Sequence, residues 1–94
     1  MTFGEKVRAL RTERGYTQVE LAQAAGISEG AVFGYEKGMF RPRRSTLNLL
    51  AEALEVSTRY LRDDECTDPL QDIEQDHFFQ RVREEYRRKV RAER

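Results

Sequence analysis

Three arginines fall within four consecutive positions: Arg41, Arg43 and Arg44, around Pro42. A guanidinium is permanently charged and presents a planar fork of donors that matches a phosphate. Three so close together could neutralise about two or three phosphates of a polyanion, with an affinity that falls as salt rises. Just upstream stand Glu29, Gly30, Ala31, Phe33 and Gly34, then Lys37. On a surface facing base pairs, a carboxylate can accept from the cytosine amino group, and Ala or Phe can touch a thymine methyl. That set holds no Arg or Gln for two-point pairing with guanine or adenine. Other chemistry is thin. His77 has no second His or Cys at ligand spacing, so no metal is expected. There is no Gly-rich phosphate loop, no paired carboxylates in a plausible cleft and no nucleophile–base pattern. Ser28 and Ser45 are better explained as helix caps than as nucleophiles. Neither enzyme activity nor a cofactor is expected.

The elements that must position these residues are legible from local signals. Thr2-Phe3-Gly4-Glu5 has the spacing of a capping box, and Phe3, Val7 and Leu10 then share a helical face, with Lys6, Arg8 and Arg11 mostly elsewhere. Gly15 closes that first helix, expected over residues 2–14. Thr17-Gln18-Val19-Glu20 is a second capping box. It opens a helix whose Leu21, Ala22 and Ala25 face inward and which ends at Gly26, where positive φ is cheap only for glycine. Ile27 plugs the turn, and Ser28 caps a third helix over 28–37 in which Val32 and Tyr35 face the core and Gly38 ends the run. Two short helices joined by a tight turn are the outline of a helix-turn-helix. After the arginine loop, Ser45 is expected to cap a fourth helix with a Leu47, Leu50, Ala51, Leu54 stripe, and Ser57 a fifth carrying Tyr60 and Leu61.

Composition bounds the possibilities. The chain of 94 residues balances 17 Lys+Arg against 17 Asp+Glu, but unevenly. Residues 1–62 hold 10 basic and 7 acidic residues, 63–69 hold four acids and no base, and 70–94 hold 7 basic and 6 acidic residues. This divides the chain into a domain over 1–62, an acidic linker over 63–69 and a C-terminal amphipathic helix over 70–94. One cysteine, Cys66, excludes an intramolecular disulfide and suits a reducing cytoplasm. No apolar run reaches the length of a membrane span, and no signal peptide is expected.

Residues 3–61 resemble the Cro and phage-repressor (Xre) type of helix-turn-helix domain. The resemblance is carried by Thr17-Gln18, Glu20-Leu21-Ala22, Ala25-Gly26-Ile27-Ser28, Tyr35-Glu36-Lys37-Gly38, Pro42, Leu47, Leu50-Ala51, Ala53-Leu54, Val56 and Leu61. It covers about two-thirds of the chain, and the combined spacing is specific. It implies an all-α, five-helix lambda-repressor-like bundle used as a sequence-specific transcriptional regulator of double-stranded DNA. It further implies a phosphate contact from Gln18, with Ser28 a cap first and a phosphate ligand second. Base reading would fall to Glu29, Gly30, Ala31, Phe33 and Gly34, backbone grip to Arg41, Arg43 and Arg44, and an ion pair between the first and third helices to Arg11 and Glu36.

The last segment bears on assembly. Ile73, Phe78, Phe79, Val82, Tyr86 and Val90 approximate one apolar face of a helix. Such a face folds back on its own domain, pairs two copies into a homodimer, or docks a regulatory protein partner. Readers of this type usually sit as dimers on inverted half-sites, which favours pairing. Two function classes follow: a dimeric DNA-binding regulator, expected to be a repressor, or an antitoxin- or anti-repressor-like interaction module using the apolar reading face or the terminal helix.

Overall fold

The computed structural model describes residues 1–73. Five helices follow in order, with no strand among the described residues: α1 (Phe3–Glu13), α2 (Gln18–Ala25), α3 (Glu29–Glu36), α4 (Arg44–Leu54) and α5 (Thr58–Arg62). The all-α five-helix expectation is met. Of the terminal apolar set, Ile73 is half-buried at the edge of the described chain. Phe78, Phe79, Val82, Tyr86 and Val90, like His77, lie outside the described residues.

Both capping boxes form. The Thr2 hydroxyl accepts from the Glu5 amide at 3.3 Å while the Thr2 amide donates to Glu5 at 3.0 Å. Thr17 and Glu20 repeat the exchange at 3.1 and 2.9 Å. Each box satisfies two amides that a helix start would otherwise leave without partners. Gly26 ends α2 with φ +71°, and the Ile27 amide turns back to the Ala22 carbonyl at 2.9 Å. Ile27 itself is half-buried against the core, not sealed inside it.

The core draws on every helix: Phe3, Val7 and Leu10 of α1, Leu21, Ala22 and Ala25 of α2, Val32 and Tyr35 of α3, and the α4 stripe, closed by Val56, Tyr60 and Leu61. Phe3 meets Tyr35 edge-to-face with ring centroids 5.9 Å apart. Gly4 permits this approach. A Cβ at that position would lie 2.5 Å from the Tyr35 carbonyl oxygen, so the α1 backbone rests directly on α3.

Three features correct the sequence reading. Periodicity sets Lys6 away from the buried face of α1, yet only 2% of its surface is exposed. Its ammonium donates to the carbonyls of Tyr60, Asp63 and Cys66 at 2.7, 2.9 and 2.8 Å and lies 4.2 Å from the Tyr60 ring centroid. A buried amine is tolerated where its donors find acceptors. Second, Ser45 does not cap α4. The Leu47 amide bonds the Arg43 carbonyl at 2.9 Å, so the helix starts earlier and Arg43 takes the cap position with no side-chain hydrogen bond. Third, Cys66 and Pro69, within the stretch expected as a linker, touch the bundle. The Ser57 amide donates to the Pro69 carbonyl at 2.7 Å, Cys66 packs on the core, and Arg59 pairs with Asp72 at 2.6 Å.

Candidate nucleic-acid interface

The expected reading residues divide by position on α3. Helical periodicity puts Glu29 with Phe33 on one row and Gly30 with Gly34 on the next. Glu29, Gly30 and Phe33 are exposed, as expected. Ala31 is not fully outward. It is four residues before the buried Tyr35, shares that row, and is half-buried against the core. Gly34 is also corrected, for it is buried beneath the ring of Phe40, with which any Cβ at Gly34 would collide. Ser28 is a cap, its hydroxyl accepting from the Ala31 amide at 3.1 Å. Lys37, at the carboxyl end of α3, holds its ammonium 5.7 Å from the Phe33 ring centroid.

The Arg11–Glu36 pair joins α1 to α3, as the resemblance implies. Arg11 Nε meets Glu36 at 2.6 Å and Nη2 meets the other carboxylate oxygen at 3.1 Å, while Nη1 donates to the Tyr16 carbonyl at 2.9 Å. The Glu36 hydrogen bonds raise the Arg11 pKa above its ordinary value, against the opposing pull of burial. Gln18 joins the same knot, donating from Nε2 to Glu36 at 3.3 Å. This fixes the start of α2, the end of α3 and the last turn of α1 relative to one another. Beside the knot is a recess of about 230 Å³ lined by Arg8, Arg11, Gln18, Phe33, Glu36 and Lys37. Sequence reasoning misses Arg8. The signal is present all the same: Arg8 lies one turn before Arg11 on the same helix, so both guanidinium groups emerge on one side.

The three arginines of the loop differ in their surroundings. Arg41 is turned back onto the protein, donating to the Arg62 carbonyl at 3.3 Å, facing Asp64 at 3.6 Å and lying 5.4 Å from the Phe3 ring centroid. Arg43 and Arg44 are exposed and have no ion-pair partner among the described residues. They flank the start of α4. Of the five described helices, α4 alone lacks a side-chain cap hydrogen bond. Its first amides and the positive end of its dipole are therefore open to an anion, with Arg43 at the cap position and Arg44 the first helical residue. The described residues hold no cluster of His, Cys, Asp and Glu fit for a metal, and no helix among them is long and apolar enough to cross a membrane.

The helix-turn-helix family model matches residues 7–61, more than half of the chain. The chain belongs to the Xre-type helix-turn-helix family. Among its Xre-type relatives, the immunity repressor protein of Bacillus phage phi105 is 39% identical over 56 residues, which take in 60% of this chain and 39% of that protein. The cryptic phage CTXphi transcriptional repressor RstR of Vibrio cholerae is 35% identical over 65 residues, 69% of this chain and 59% of that protein. The chain thus spans about half the length of the curated relatives it matches. Among solved Xre-type structures, the P22 c2 repressor in complex with a synthetic operator superposes with a TM-score of 0.63 at 31% identity, covering 65% of this chain and 92% of that one. The N-terminal DNA-binding domain of SinR from Bacillus subtilis gives 0.63 at 28% identity, covering 67% and 93%.

Proposed function

We propose that this chain is a sequence-specific DNA-binding transcriptional regulator, acting as a repressor on a short palindromic operator as a homodimer. The observation that carries the reading is the uncapped start of α4 between Arg43 and Arg44. Open amides, a helix dipole and two exposed guanidinium groups form a phosphate grip on the chain leaving the reading helix. Gln18 at the start of α2 and Arg8 with Lys37 around the recess extend that grip. Glu29, Gly30 and Phe33 face the base pairs, with methyl contacts and DNA shape contributing as much as hydrogen bonds. The names of the relatives, two phage repressors, and the operator-bound P22 c2 structure support the same reading. Arg41 is left out of the grip, because Asp64 and the Arg62 carbonyl hold it. The second copy is recruited through Ile73, Phe78, Phe79, Val82, Tyr86 and Val90. Such a regulator works in the cytoplasm and needs neither catalysis nor a cofactor.

The test is binding of the full chain to random duplex DNA at roughly 50 and 200 mM salt. Affinity is expected to fall steeply between the two. Arg43→Ala with Arg44→Ala should flatten the log–log salt slope by about 0.9 for each phosphate no longer neutralised, across all sequences. Absence of binding even at the lower salt would overturn the proposal.

A further inference from the structure

The carboxyl half of α3 is covered by a side chain that does not come from that helix. Gly30 and Gly34 stand four residues apart on one row of α3, so that row offers no side chain of its own. Around Gly30 the space is open, with no heavy atom within 4 Å of an added Cβ. Over Gly34 lies the ring of Phe40, in contact closer than any real side chain at position 34 would permit. The ring is held edge-to-face against Tyr35 at a centroid distance of 5.3 Å, and Tyr35 in turn packs on Phe3. Phe40 is thus anchored from below by a chain of aromatic contacts into the core. It nevertheless keeps 47% of its surface exposed, nearly the same as Phe33 at 45%. Phe40 is both seated on the core aromatics and open to solvent, whereas Phe3 and Tyr35 are buried.

We infer that Phe40 is a specificity-determining residue, filling from the following loop the place on the reading surface that Gly34 leaves vacant. Resting on the proposed DNA-binding role, this inference adds a second apolar reader beside Phe33. A phenyl ring has no hydrogen-bond donor or acceptor to distinguish base edges, so the group it selects is the thymine C5-methyl in the major groove. The glycine is what makes this possible. Any side chain at position 34 would displace the ring, so Gly34 and Phe40 act as one composite position.

The experiment is selection of preferred duplexes from a random pool by the full wild-type chain, Phe40→Ala and Gly34→Ala, each first checked for helical content. Wild type is expected to prefer thymine at one position of each half-site, and Phe40→Ala to weaken that preference by about tenfold, the discrimination typical of one base pair. Gly34→Ala, which keeps Phe40 but pushes its ring aside, should change preference at the same position. Affinity for non-cognate duplex should stay within about twofold in both, because no phosphate contact is removed. If Phe40→Ala fails to fold, Phe40→Leu is measured beside Gly34→Ala and read in the same way. Variants that select the wild-type sequence, or bind more weakly by the same factor across all sequences, overturn the inference while leaving DNA binding intact. A wild-type chain that selects no sequence overturns both it and the proposed function.

Discussion

Gly30→Ala separates what α3 needs as a helix from what it needs as a reader. Gly30 is the second of the eight residues of α3, is exposed, and does not have positive φ. A methyl there meets nothing within 4 Å. The substitution therefore removes the entropic penalty of a helical glycine with no steric offset, a gain of about 1 kcal/mol. For a domain of this size that raises the melting temperature by roughly 4–8 °C. Gly34, four residues on, makes the contrast, since an added methyl there strikes the Phe40 ring and the propensity gain is offset by its displacement. If the α3 backbone at Gly30 sits against DNA, the methyl that stabilises the free protein obstructs the complex. Overpacking of a close contact costs about 1–3 kcal/mol, or roughly 5- to 150-fold in affinity. Thermal melting by circular dichroism and titration of a labelled selected duplex would measure the two effects on one variant. A variant that is no more stable than wild type refutes the reading of Gly30 as an unencumbered helical position. A stabilised variant that binds DNA as tightly as wild type refutes the close approach.

Two further outcomes follow from the bundle. Lys6→Met keeps the apolar stem but leaves the Tyr60 and Cys66 carbonyls without their donor, so stability measured by urea unfolding should fall by about 3 kcal/mol. Glu5 and Glu20 are held below the ordinary carboxylate value of 4.5, chiefly by the backbone amides of Thr2 and Thr17 and next by the hydroxyls of the same residues. Their stabilisation is therefore present above that value and lost as pH falls through the lowered one. Melting temperatures of wild type and the Glu5→Gln/Glu20→Gln double variant should converge between neutral pH and about pH 3, and a constant gap across that range would contradict the assignment.

Much of this molecule is local, and the local part is readable. Thr2 with Glu5, Thr17 with Glu20, Ser28 and Gly26 set helix starts and the tight turn through neighbours two to five residues away. The core stripes follow from the 3.6-residue period in the same way. What escapes reading depends on distant partners. Lys6 is a charged residue set off the Phe3, Val7, Leu10 face, and nothing near it in the chain signals its burial, because its acceptors lie 54, 57 and 60 residues downstream. Gly4 looks like an ordinary first-turn residue until Tyr35 is brought against it. Gly34 reads as outward from periodicity because the aromatic that covers it belongs to the next loop. The three arginines look alike in sequence, and only the fold puts Asp64 beside Arg41 and leaves Arg43 and Arg44 at a bare helix end. Ser45 offers a hydroxyl but lies inside α4, because the helical bond from the Leu47 amide already reaches the Arg43 carbonyl.

The Lys6 clasp sets an order of assembly. Its three carbonyls belong to the end of α5 and the turn beyond, so Lys6 must wait for the chain to be synthesised as far as Cys66 before its ammonium is satisfied. Until then the first helix carries a charge into its own core with nothing to receive it. A fragment stopping at residue 62 keeps the five helices and one of those acceptors, Tyr60, but lacks the carbonyls of Asp63 and Cys66. The smallest unit able to fold to completion is therefore longer than its helices suggest, and its last-made residues, not its last helix, close it.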